Sequence, residues 1–152
     1  MTGWRLGWVV CPENFVRPLE KLAQNLFISP PTVAQQAALS AFSNQSIAIL
    51  EQRKSEFRER RDYLMAELPA LGFEIPHQPA GAFYLFAGIG GFGMQAEPFC
   101  RYLLEQAGVA ITPGIDFSSA HAHDHVRFAY TIEMEKLQQA VENMRAALIN
   151  LR

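Results

Sequence analysis

Two arginines stand where a charge is hardest to accommodate. Arg5 is the sole charge in Gly3-Trp4-Arg5-Leu6-Gly7-Trp8, and Arg127 is the sole charge in Val126-Arg127-Phe128-Ala129-Tyr130. A guanidinium in an apolar, strand-like run is costly unless it meets an anion. Its planar fork matches phosphate or carboxylate. An internal salt bridge to one of the fifteen acidic residues explains each arginine equally well at this stage. Two such arginines in one chain suggest a ligand with two anionic ends.

Other residues with chemical potential give weaker readings. His121, His123, Asp124 and His125 form a dense cluster of metal-compatible side chains. Alternate positions on a loop rarely converge on one ion, so a surface loop with no metal site is expected. Gly88, Gly90 and Gly93 spell the glycine pattern of a dinucleotide-binding turn. However, Pro98 places the following helix several residues too late, and the acidic residue expected at the end of the next strand is missing. Cys11 and Cys100 have no neighbour that would lower a thiol pKa, so both are expected as reduced core residues. There is no serine nucleophile elbow and no zinc-protease histidine pattern.

These residues need a scaffold, and the pattern of the chain supplies one. Its 152 residues suit about one domain, and 49% apolar with 18% charged residues argues against disorder. A net charge of −2 gives no reason to expect nucleic acid. No apolar run is long enough for a membrane span, and no secretory signal pattern is seen, so a cytoplasmic protein is expected. Leu6 to Val10 read as a short buried strand. A helix is predicted from Cys11-Pro12-Glu13, with Phe15, Leu19, Leu22, Ala23 and Leu26 on one face. Ser29-Pro30-Pro31 breaks it, and Thr32 can cap the next helix. A long helix is predicted from about Asn44 to Leu71, ended by Gly72. Shorter elements follow: strands at Phe73–Ile75, Ala82–Phe86, Val109–Ile111 and Val126–Tyr130, a helix over Glu97–Ala107, and a last helix from Glu133. The composition shifts near Asn44, giving candidate domains 1–43 and 44–152.

Taken in order, these segments resemble the class I and II pyridoxal-phosphate-dependent aminotransferases of fold type I. Gly3, Arg5 and Gly7 match the second half of that family's Ser-x-x-Lys … Gly-x-Arg-x-Gly motif. Ser29-Pro30-Pro31-Thr32 with Ala34-Gln35-Gln36-Ala37 is similar to the segment after its domain-core helix. Pro79 to Phe86, Gly108-Val109 with Thr112-Pro113-Gly114 and Phe117, and Val126 to Tyr130 are similar to its small-domain strand, its Pro-Gly turn and its arginine-bearing strand.

The resemblance implies an α/β fold: the family's small domain at 44–152, with a long helix, a short mostly antiparallel sheet and covering helices. Residues 1–43 would be a remnant of the large domain. It implies that Arg5 binds the cofactor phosphate and Arg127 the substrate α-carboxylate. The implied reaction is amino-group transfer between amino acids and 2-oxo acids with pyridoxal 5′-phosphate, and the full-length family is usually homodimeric. The family's Schiff-base lysine lies a few residues before the position of Gly3, upstream of Met1. Lys21, Lys54 and Lys136 all sit on helical patterns instead. The chain is therefore expected to be a C-terminal piece, without a catalytic residue of its own, inactive and not binding the cofactor in isolation. Self-association through its apolar edge is expected. Two alternatives stay open: a non-catalytic small-domain protein that binds a partner or a small anion, and a piece of a lyase or decarboxylase of the same cofactor family.

Overall fold

The structure is a computed structural model that describes residues 2–151. Five helices and three strands follow in the order α1 (Glu13–Leu26), α2 (Thr32–Ala41), α3 (Asn44–Leu71), β1 (Tyr84–Gly88), α4 (Ala96–Ala107), β2 (Thr112–Pro113), β3 (His125–Ala129) and α5 (Met134–Ile149). The chain divides into two compact units, one reaching to Arg53 and one beginning at Lys54, and the division falls inside α3.

In the first unit, α1 has the predicted limits but buries none of its residues. Helix α2 begins at Thr32 behind Pro31 and has no side-chain cap, so Thr32 is its first turn rather than its cap. Ala34 and Ala38, four apart and therefore on one face, are its buried pair. The expected strand at Leu6–Val10 does not form. Residues 7–10 are exposed and belong to no strand. A β-branched apolar run becomes a strand only beside another strand. All three strands of the sheet lie beyond residue 83.

The second unit holds one continuous core. Helix α3 runs through Pro69 to Leu71, where Gly72 takes φ 103 and the Phe73 N–H bonds back to the Leu68 carbonyl at 3.1 Å. Glycine adopts that left-handed turn without the steric cost of a side chain. The turn delivers Phe73 into a cluster of rings, with Phe92, Phe128 and Phe99 at centroid distances of 4.9, 5.0 and 5.8 Å. Helix α4 ends similarly at Gly108, whose φ is 65. Tyr102 Oη donates to the Ala147 carbonyl at 2.8 Å, and Asn143 Nδ2 donates to the Ala107 carbonyl at 3.0 Å, which ties α4 to α5.

The sheet is antiparallel, in the order β1-β3-β2. Only Glu74 of the expected Phe73–Ile75 strand joins it, through a single bridge to Gly88. The expected Val109–Ile111 strand appears three residues later as β2, paired to Val126 and Arg127. The glycine pattern does not form a dinucleotide turn. Gly88 ends an antiparallel strand, Gly90–Phe92 is a single 3-10 turn, and no parallel crossover follows. Among the described residues no helix is long and apolar enough to cross a membrane.

Candidate functional site

Alternation along β3 separates the core from the site. Val126 and Phe128 are buried, and His125, Arg127 and Ala129 take the other face. Arg127 lies opposite Phe86 of β1 and Thr112 of β2. Its Nη2 donates to Thr112 Oγ1 at 3.3 Å. Its guanidinium lies 4.4 Å from the Phe117 ring centroid and 5.7 Å from that of Tyr84. The Nε–H is buried and meets no acceptor. Among the described residues no carboxylate pairs with Arg127, so the internal salt bridge that competed with an anion at the sequence level is absent. A buried donor without an acceptor is destabilising by about 1–3 kcal/mol, more on a charged group. The fork is held flat by rings and keeps donors free, which is how an arginine is poised for a planar carboxylate. Sequence reasoning picked out Arg127 but not its orienting neighbours. The strand register and the turn at Phe117 bring those together.

Arg5 differs from Arg127. It is exposed and follows the 3-10 turn Thr2–Trp4, with φ 52. The burial-cost argument that singled it out therefore does not apply, because its apolar neighbours do not enclose it. Its guanidinium can still serve as a phosphate donor by charge and shape. Arg5 and Arg127 belong to different units.

The histidine run is a gathered cluster rather than an open loop. Asp124 Oδ1 is 2.7 Å from His125 Nδ1 and 3.6 Å from His121 Nδ1. The hydrogen bond from His125 is the main cause holding the Asp124 carboxyl below its ordinary pKa. His123 is not part of the group. The thiols are both free. Cys11 is half-buried, and burial pushes the Cys100 thiol up to about 11. A thiol so raised is a core group and not a nucleophile.

Comparison with known proteins shows the family of the chain. The family description "Aminotransferase class I and II" matches residues 1–144. The (5-formylfuran-3-yl)methyl phosphate transaminase of Methanocaldococcus jannaschii is 36% identical over 148 residues, covering 97% of this chain and 39% of that protein. The aspartate/prephenate aminotransferase of Thermus thermophilus is 37% identical over 150 residues, covering 97% of this chain and 38% of that protein. The crystal structure of an aminotransferase from Mycobacterium tuberculosis superimposes with a TM-score of 0.88 at 34% identity, covering 99% of this chain and 39% of that one. The chain thus spans about two-fifths of the length of the relatives it matches. By sequence over nearly its whole length and by fold, it belongs to the class I and II aminotransferases of fold type I, with the α/β architecture of their small domain.

Proposed function

We propose that this chain is the C-terminal part of an aminotransferase that moves amino groups between amino acids and 2-oxo acids. In this reading residues 44–152 are its small domain and residues 1–43 belong to its large domain. Arg127 takes the substrate α-carboxylate and Arg5 the cofactor phosphate. The observation that carries the reading is the buried, acceptor-free Nε–H of Arg127 beside a guanidinium held by Thr112 and Phe117. A substrate carboxylate would supply the missing acceptor and exclude water from that donor.

The residues present fit pyridoxal phosphate in part. Arg5 has the charge and fork for the phosphate, while Lys21 and Lys54 lie on exposed helical surface and Lys136 on the exposed side of α5. When bound, the cofactor supplies an electron sink for the bond broken at the amino acid's α-carbon. Within this chain Arg127 orients the amino acid and Arg5 anchors one end of the cofactor. Neither residue moves the proton in this reading, and Lys21, Lys54 and Lys136 lie on α1, α3 and α5 rather than in a Ser-x-x-Lys segment before Gly3. The chain alone is therefore expected to show no transamination.

Two tests follow. Titrating the chain with a dicarboxylate such as succinate should give saturable binding that Arg127→Ala abolishes and Arg127→Lys weakens. Unchanged binding in Arg127→Ala overturns the assignment. Reading the coding sequence upstream of Met1 tests the larger claim. A Ser-x-x-Lys in frame a few codons before Gly3 supports it, and full activity should then reside in the longer protein. An unrelated frame there favours a non-catalytic carboxylate binder.

A further inference from the structure

We propose that His121, Asp124 and His125 form a binding site for a divalent transition-metal ion of the zinc class. This goes beyond the aminotransferase reading and is independent of it. One ligand atom from each residue lies within 4.8 Å of the other two. The two imidazole rings are 4.4 Å apart between centroids, with the Asp124 carboxylate against both. Tetrahedral zinc with bonds near 2.0–2.1 Å spaces its ligand atoms about 3.4 Å apart. The observed separations of 2.7 and 3.6 Å bracket that spacing, so side-chain rotation alone can admit the ion. An ion entering here replaces the 2.7 Å contact between His125 Nδ1 and Asp124 Oδ1, any proton on it passing to solvent, and leaves a coordination position open to water.

The backbone beneath these side chains is fixed. The Ala96 N–H donates to the His123 carbonyl at 2.8 Å, and the Ile89 N–H donates to the Asp124 carbonyl at 2.9 Å. His125 pairs with Gly88 in the sheet, and its ring stacks on Phe86 at 5.0 Å. The loop also closes onto Gly114. A Cβ there would collide with the His121 carbonyl and stand 2.8 Å from the His125 carbonyl, so glycine permits the approach. Three ligands on an anchored backbone lose less freedom on binding than three on an open loop. Two imidazoles and a carboxylate suit Zn²⁺, Co²⁺ or Ni²⁺, and do not suit Mg²⁺ or Ca²⁺, which prefer all-oxygen shells. Bound metal would tie the connection that carries Phe117 to strand β3, two positions from Arg127.

The test is calorimetric titration of the 152-residue chain with ZnCl₂, alongside Co²⁺ absorption spectra. One ion per chain is expected, with visible Co²⁺ bands of a low-coordinate nitrogen and oxygen site. His121→Ala and Asp124→Ala each should weaken binding by about tenfold or more and abolish those bands. Both residues are exposed, so neither change should unfold the chain, and circular dichroism checks this. His123→Ala and His77→Ala should bind as the parent does. Equal loss in His123→Ala, no loss in Asp124→Ala, or displacement of the ion by excess Mg²⁺ would each overturn the site and leave an adventitious ion only.

Discussion

The two units solve the burial problem to different degrees. The unit beginning at Lys54 buries a continuous set of side chains from α3, α4, α5 and the sheet, with Leu68, Leu103, Val126 and Val141 fully enclosed. The unit reaching to Arg53 buries two alanines of α2 and exposes Trp8, Phe15, Leu22, Leu26 and Phe42. Helix α1 is as regularly patterned as α4, yet the pattern of α1 ends in solvent. Periodicity thus shows which face of a helix wants a partner, and not whether the chain carries that partner. Tryptophan and tyrosine divide the same way: Trp4 and Trp8 lie before Arg53, and Tyr63, Tyr84, Tyr102 and Tyr130 after it. Each unit therefore has its own spectroscopic reporter.

The largest expected effect is in the core of the second unit. Phe73→Ala empties the centre of the aromatic cluster and should cost about 3–5 kcal/mol. Urea unfolding followed by tyrosine circular dichroism should show the lowered midpoint. Tryptophan emission should be solvent-like from the start, since Trp8 is 75% exposed. A tryptophan signal that moves together with the tyrosine signal would break the distinction between the units.

The thiols give a contrast of about tenfold or more in alkylation rate near pH 8, with Cys11 reacting before Cys100. Burial raises Cys100 from 9.0 to about 11, so the folded state disfavours its thiolate. The sign follows: this contribution is fully present below the ordinary thiol value and is lost as pH rises toward about 11. Cys100→Ala should flatten that part of the stability profile, and Cys11→Ala should leave it intact. Mass spectrometry of timed iodoacetamide reactions checks the order.

Much of the helical framework was legible in sequence, and so was the isolated charge at Arg127. Helices α3, α4 and α5 fall where apolar period, glycine stops and proline starts place them, because those signals are local. The strands were less legible. β2 is defined by its pairing to Val126 and Arg127, a long-range fact, and Leu6 to Val10 has strand-forming residues without a partner strand. The burial premise behind the isolated-charge argument is met at Arg127, whose Nε is buried, and not at Arg5, which is exposed. It holds only when the surrounding apolar residues close over the guanidinium. The convergence of His121, Asp124 and His125 was also illegible, since backbone anchors at Ala96, Ile89 and Gly114 set it from distant parts of the chain.

A smaller effect concerns the end of α1. Ile28 holds φ 69 while its N–H bonds to the Ala23 carbonyl at 3.1 Å. This is the left-handed helix stop that glycine usually fills, and a β-branched residue is strained there. Ile28→Gly should stabilise that turn by about 1 kcal/mol, and amide exchange over α1 should slow accordingly. No change in exchange would mean that α1 frays independently of its stop.

The smallest effect is the most diagnostic for the comparison. Leu19 sits on the apolar face of α1, and its position in the pattern resembles that of Leu103 on α4. Leu103 is fully buried, while Leu19 remains 37% exposed. Truncating a side chain costs stability through the contacts and burial it loses. Leu19→Ala should therefore change stability by no more than about 0.5 kcal/mol, and alanine's better helix propensity offsets part of that. Leu103→Ala, the same chemical change on a helix of similar pattern, should cost about 2–5 kcal/mol. Helicity by far-ultraviolet circular dichroism reads the first, and urea midpoints read the second. A large loss from Leu19→Ala in the isolated chain would mean that the face of α1 is already covered, most simply by a second copy. Sedimentation at several concentrations would then show the mutant dissociating where the parent does not.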